Sequence, residues 1–170
     1  MAKKKEAPIE NRCMSFRESV SLGDCDAVYR IVNSSGFFSE EEMAIAVELV
    51  QERLDKGRLS GYHFLFAETK KKMAGYSCYG PIPGTKDRYD IYWIAVDEGF
   101  RRAGLGEQIL NLTEEKIAGL GGKRVYVDTS SRPLYEPTRL FYEKCGYRKE
   151  AVLKDFYAEG DSKIIYSKSL

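Results

Sequence analysis

The stretch Val96-Asp97-Glu98-Gly99-Phe100-Arg101-Arg102-Ala103-Gly104-Leu105-Gly106 constrains this chain more than any other. An apolar run, Ile91, Trp93, Ile94, Ala95 and Val96, comes just before it. After it, Leu105, Ile109 and Leu112, widened by Leu110 and Ile117, follow a helical spacing. The chain therefore leaves a buried strand, makes a short polar turn with paired arginines, and enters a helix through two glycines. Such a turn suits an anion. The first N–H groups of a helix have no partner within it, and the helix dipole adds partial positive charge there. Glycine removes the Cβ that would keep a phosphate off the backbone. Arg101 and Arg102 add full charges and planar donors. The pattern is not a dinucleotide fingerprint, because no G-x-G-x-x-G opens the helix, and no Gly-Lys-Ser/Thr follows to make it a P-loop.

The 170 residues suit one domain with a sizeable core, with residues 1–13 as a flexible tail and 14–170 as a single domain. A hydrophobic content of 43% argues for a folded chain rather than a disordered one. A net charge of +1 argues against a nucleic-acid partner. No apolar run has the length to span a bilayer, and no apolar segment follows the lysines of the N-terminus, so neither membrane nor signal peptide is expected. Cys13, Cys25, Cys78 and Cys145 form no C-x-x-C pair, and His63 is the only imidazole, so no metal site is expected. The thiols read as reduced, in a cytoplasmic protein.

In chain order, Met14–Ser19 reads as a strand. A helix carrying Ala27, Val28, Ile31 and Val32 follows and ends at Ser34-Ser35-Gly36. Ser39-Glu40-Glu41-Glu42 is a capping box for a second helix that buries Met43, Val47, Val50 and Leu54 and closes at Lys56-Gly57. Strands Tyr62–Glu68 and Lys72–Tyr79 form a hairpin through Thr69-Lys70-Lys71, and Pro81, Pro83 and Gly84 end the second of them. Tyr89–Val96 is the strand before the arginine turn, and Gly104–Leu120 is the helix after it. Strand Arg124–Thr129, a helix begun by Pro137 and stopped at Cys145-Gly146, and strands near Tyr147–Tyr157 and Lys163–Ser169 complete the chain.

Arg101, Gly104 and Gly106 fit the pattern Gln/Arg-x-x-Gly-x-Gly/Ala, and Phe141-Tyr142-Glu143-Lys144-Cys145-Gly146-Tyr147 fits Phe/Leu-Tyr-x-x-x-Gly-Phe/Tyr. With the order β-α-α-β-β-β-α-β-α-β-β, the chain resembles the GNAT superfamily of acetyl-CoA-dependent N-acetyltransferases from about Met14 to Leu170. The segments Ser60–Phe64 and Asp155–Asp161 look similar to an uncharacterised prokaryotic branch of it. The resemblance implies an α/β (α+β) GNAT fold: a mixed, mostly antiparallel sheet of about seven strands, four flanking helices, and a splay between strands 4 and 5. It implies acetyl-CoA as co-substrate, with the backbone of Ile94, Ala95 and Val96 pairing with pantetheine. Arg101, Arg102, Ala103, Gly104, Leu105 and Gly106 would hold the pyrophosphate. Phe141 and Lys144 flank Tyr142 in the second motif and are carried over as cofactor contacts. Homodimers are common in the family.

Acetyl transfer to an amine needs a neutral amine, a donor for the developing oxyanion, and a proton for the departing thiolate. By resemblance Tyr142 is the general acid; a phenol with an ordinary pKa near ~10 is protonated at neutral pH. Its competing reading is a core aromatic. Asp90 aligns with the carboxylate that histone-type members use as base, and shares a strand face with Tyr92. Glu98 is a second candidate, on a turn where ion pairing is the commoner role. His63, in an aromatic strand, reads as structural. Cys145, at a helix end, reads as a buried, inert thiol. Many family members carry Asn where this chain has Tyr135, seven residues before the tyrosine; the hydroxyls of Thr129 and Ser130 are the substitutes expected to contact CoA. The acids Glu40–Glu42, Asp155, Glu159 and Asp161 are expected to attract a cationic acceptor. The leading reading is direct transfer to a small amine or amino acid. The rivals are a protein N-terminal or lysine acetyltransferase, which Tyr157 would serve, and a non-catalytic acyl-CoA sensor.

Overall fold

The computed structural model describes residues 14–70 and 72–170; the tail 1–13, Cys13 and Lys71 of the hairpin turn lie outside the described residues. Seven strands, β1 (Ser15–Arg17), β2 (His63–Glu68), β3 (Met73–Pro81), β4 (Arg88–Val96), β5 (Arg124–Ser130), β6 (Arg148–Ala158) and β7 (Asp161–Ser169), form one sheet in the order β1-β2-β3-β4-β5-β7-β6. The four helices are α1 (Asp24–Ser35), α2 (Glu40–Lys56), α3 (Leu105–Gly119) and α4 (Glu136–Lys144). β4 runs parallel to β5, and the register covers only Arg88↔Arg124 to Asp90↔Tyr126. The β1–β2, β5–β7 and β6–β7 pairs are antiparallel. The chain separates into two compact units, one made of the described residues through Cys78 with Trp93–Thr113, the other of Tyr79–Tyr92 with Glu114–Leu170.

In the first unit, α1 and α2 bury the apolar stripe that their spacing announces: Val28, Ile31 and Val32 on one, Met43, Ala46 and Val50 on the other. These meet Phe64, Phe66, Tyr76 and Cys78 in one cluster. Burying each large apolar side chain stabilises by roughly 1.5–3 kcal/mol. Gly36 closes α1 with a left-handed φ of 67°. Ser39 and Glu42 form the reciprocal capping box at the start of α2. A second cluster joins Phe100, Leu105 and Ile109 to Ala67 and Ala74. There a Cβ on Gly75 would sit 2.8 Å from Ile109 Cδ1 and 2.9 Å from the Ala95 carbonyl, so α3 packs this closely only against a glycine.

In the second unit, the inward face of β5, Val125 and Val127, is buried, as are Ile164 and Tyr166 of β7. Tyr142 of α4 lies 5.5 Å from Tyr147 and 6.1 Å from Tyr166, ring centre to ring centre, so three aromatics hold the helix to this end of the sheet. The structure adds short 3₁₀ turns at Gly57–Ser60, Glu98–Phe100 and Pro133–Tyr135 that periodicity does not reveal. β3 runs on through Gly80 to Pro81 rather than ending at Tyr79, and the last hairpin turns on Glu159-Gly160 alone, with Asp161 already in β7. No helix among the described residues is long and apolar enough to cross a membrane.

Candidate active site

In the first unit, β4 ends at Val96 and the chain makes the arginine turn. The Asp97 carboxylate accepts the Gly99 N–H at 3.0 Å and the Lys72 ammonium at 2.9 Å, which fixes the start of the turn. The two arginines then part company. Arg101 donates from its amide to the Glu98 carbonyl (3.3 Å) and from Nε to the Val96 carbonyl (3.2 Å), and its guanidinium lies 5.1 Å from the Phe37 ring centre. Arg102 is exposed, with a left-handed φ of 60°, and Gly104 follows at φ 83°. A non-glycine residue in that region is uncommon and marks a shape held by its surroundings. Gln108 makes the first helical bond back to the Gly104 carbonyl at 3.0 Å, so Leu105 and Gly106 open α3 with amides that no turn of helix precedes. The expected anion cradle from Arg101 to Gly106 is thus narrower: the amide of Arg101 is spent inside the turn.

In the second unit, Asp90 opens into a cavity of about 540 Å³. Tyr92 lines it from the same strand, as expected from the strand alternation, and Arg88, Tyr126, Asp128, Lys163 and Ile165 line it too. The Asp90 carboxylate has no hydrogen-bond or ion-pair partner among the described residues. Half-buried, it is pushed up to about 6 by desolvation and by the nearby Asp128 carboxylate, while the Lys163 ammonium pulls the other way. Lys163 itself makes a close ion pair with Asp128. A carboxylate that titrates near neutrality can take a proton from an ammonium group and give it up again.

Tyr142 is buried at 5% exposure, and its hydroxyl has no hydrogen-bond partner among the described residues. Burial, then the Asp128 carboxylate and the neighbouring Cys145, raise its phenol above the ordinary value, so it stays protonated. Phe141 sits 5.5 Å from it on α4, and Lys144 ends that helix. Tyr135 is buried in its 3₁₀ turn beneath the Arg132 guanidinium, 5.2 Å from the ring centre. Thr129 is buried on β5. Ser130, expected as a CoA contact, is instead occupied: its hydroxyl donates to Asp161 and accepts the Arg132 amide at 3.0 Å.

Other candidates fall into structural roles. Burial, Arg53 and Arg58 lower the His63 imidazole, which keeps it neutral at pH 7. Glu98 is exposed and forms no ion pair among the described residues; the acid that pairs at the turn is Asp97. Cys145 is only half-buried, because it lies past the last helical residue rather than within the packed face. Cys25, Cys78 and Cys145 form no disulfide among the described residues. Of the acids expected to draw in a cation, Glu42 serves the capping box, Asp155 accepts the Gly160 amide at 2.9 Å, and Asp161 holds Ser130 and Arg132. Tyr157 is exposed, on β6 itself rather than in a loop. No cluster of metal-ligating side chains exists among the described residues.

The model of the acetyltransferase (GNAT) family matches residues 26–147. The chain belongs to the GNAT acetyltransferase family. A crystal structure assigned to the acetyltransferases of this family, from Desulfovibrio desulfuricans, is 46% identical, superposes with a TM-score of 0.91, and covers 92% of this chain and 99% of that one. The uncharacterised N-acetyltransferase YvbK of Bacillus subtilis is 31% identical over 68 residues, 40% of this chain and 43% of its own length, so this chain matches less than half of that relative. An aminoglycoside 6'-N-acetyltransferase complexed with coenzyme A shares the fold at 18% identity, with a TM-score of 0.72 over 91% of this chain and 96% of that one.

As a GNAT acyltransferase, the chain carries both motif regions, the arginine turn and the Tyr142 helix, within the matched residues. The groups that sequence reasoning missed are Arg88, Asp128 and Lys163. Period-two alternation puts Arg88 on the Asp90 face of β4, and Asp128 on the Tyr126 face of β5. Which strand neighbours which is decided by long-range pairing, and no local pattern reports it.

Proposed function

We propose that this chain transfers an acetyl group from acetyl-CoA directly to the primary amine of a small molecule or amino acid. The observation that carries the reading is the Asp90 carboxylate: partnerless, desolvated, titrating near 6, and open to a cavity of a size that suits a small acceptor. Family membership and the coenzyme A complex of the aminoglycoside enzyme support acetyl-CoA as the acetyl donor.

The roles divide by unit. In the first, the Leu105 and Gly106 amides and the exposed Arg102 charge bind the pyrophosphate. Ala103 and Gly104 shape that turn, and Arg101 braces it against Val96 and Phe37. The backbone of Ile94, Ala95 and Val96, beyond the last β4–β5 register pair, bonds pantetheine amides. In the second unit, Asp90 takes the proton of the acceptor ammonium. The freed amine attacks the thioester carbonyl, the C–S bond breaks, the Tyr142 hydroxyl donates its proton to the departing sulfur, and the proton left on the acylated nitrogen returns to the Tyr142 oxygen. Phe141, Lys144, Thr129 and Tyr135 bound the same reaction as cofactor contacts.

The test is thiol release from acetyl-CoA across a panel of small amines, amino acids and peptides, with wild type and Asp90→Asn. Release with small acceptors that falls at least tenfold in Asp90→Asn supports the reading. Release only with peptide or protein acceptors transfers it to the protein acetyltransferases. Acetyl-CoA binding without release for any acceptor makes the chain a sensor.

A further inference from the structure

The second unit carries two opposite charges on one face of β4 that do not neutralise each other. Asp90 has no partner among the described residues. Arg88, two residues before it, spends its guanidinium on two backbone carbonyls, Lys86 at 3.2 Å and Asp87 at 3.3 Å, and no carboxylate pairs with it among the described residues. Both line the same cavity of about 540 Å³. Residues two apart on a strand share a face and lie ~7 Å apart along it. The remaining charges on the cavity wall, Asp128 and Lys163, are joined to each other.

We infer that the acceptor is a small zwitterion, a free amino acid, whose ammonium is received by Asp90 and whose carboxylate is received by the Arg88 guanidinium. The four charged groups on the wall sum to zero. A polycation would meet Arg88 as a repelling charge, and a simple amine would leave Arg88 unused. A carboxylate, in contrast, can replace the two backbone carbonyl contacts with a two-pronged, charge-assisted pair. Ile82 and Ile165 add apolar wall against which the acceptor's carbon chain can lie. This inference rests on the reading of the chain as a small-amine acetyltransferase with its acceptor in this cavity.

The experiment compares α-, β- and γ-amino acids with their carboxamides and decarboxylated amines, by thiol release at saturating acetyl-CoA, in wild type, Arg88→Gln and Arg88→Lys. The expected result is an amino acid preferred over its own carboxamide by at least tenfold in kcat/KM. Arg88→Gln should collapse that ratio toward one through KM, with kcat for the amino acid retained, and Arg88→Lys should restore part of it. Thermal melts of both variants separate loss of recognition from loss of fold, and Arg88→Lys keeps the test open if Arg88→Gln does not fold. Preference for carboxamides, simple amines or polycations, or an amino-acid preference that survives Arg88→Gln, overturns the inference and leaves the acetyltransferase reading standing. No release with any acceptor overturns that reading and the inference with it.

Discussion

Lys163 on β7 is ion-paired to Asp128 on β5, and both line the cavity into which Asp90 opens. The pair tunes Asp90 from two sides: Asp128 raises its carboxyl and Lys163 lowers it, with desolvation as the larger cause of the upward shift to about 6. Arg88 is the other charged group on the wall. If Asp90 is the base, the rate should fall as pH drops through about 6, because the carboxylate becomes protonated there. Lys163→Met should move this acid limb to higher pH, and Asp128→Asn to lower pH. A kcat/KM profile with no limb between pH 5 and 7, or one that neither variant moves, removes Asp90 from the base role.

Asp90 should also cost stability. Its folded-state pKa lies above the ordinary carboxylate value, so its favourable contribution is complete below about 4 and is lost as pH rises through about 6. Asp90→Asn is therefore expected to raise Tm at pH 8, while at pH 4 the two proteins melt together. The group is half exposed, so solvent screening limits the gain to about 1 kcal/mol, or ~2–4 °C. Stability gained as activity is lost is the pattern of a residue kept for function.

The two arginines of the turn should behave differently. Arg102→Glu places a negative charge at the opening of α3 without breaking a contact, and should weaken acetyl-CoA binding at least tenfold with Tm unchanged. Arg101→Ala loses the Val96 carbonyl and the Phe37 face, and should lower Tm as well as affinity. Calorimetric titration paired with thermal melts checks both. Equal affinity in Arg102→Glu and wild type would detach the turn from the cofactor.

Tyr142→Phe keeps the buried ring and removes a hydroxyl that has no hydrogen-bond partner among the described residues, so its stability should match wild type. Turnover at saturating acetyl-CoA should fall, by an amount near the lower end of the ~10²–10⁴-fold typical of general acid help. A turnover within twofold of wild type would leave Tyr142 as the ring that packs on Tyr147 and Tyr166.

Gly75→Ala tests the packing of α3. The added methyl would meet Ile109 Cδ1 at 2.8 Å and the Ala95 carbonyl at 2.9 Å, the second a backbone atom that cannot swing away. Overpacking of this kind costs ~1–3 kcal/mol. Urea denaturation should show the midpoint lowered with the slope unchanged.

Local chemistry is what the amino-acid order of this chain determines by itself. The capping box at Ser39 and Glu42, the left-handed Gly36, and the strand-turn-helix passage from Val96 to Leu105 each depend on neighbours a few residues apart, and each is legible in the sequence. The family motifs are local too, which is why Asp90, Arg101 and Tyr142 can be singled out before any coordinates. What those residues do was decided by the tertiary structure. Arg101 resembles Arg102 in sequence, yet one is folded onto Val96 and Phe37 and the other is exposed, at a left-handed step of the turn. Ser130 offers a hydroxyl in sequence but surrenders it to Asp161, 31 residues on. The ionisation of Asp90 depends on Asp128 and Lys163, which only sheet pairing brings near it. Electrostatic free energy falls off with distance through space, and distance through space is set by strand order rather than by position along the chain.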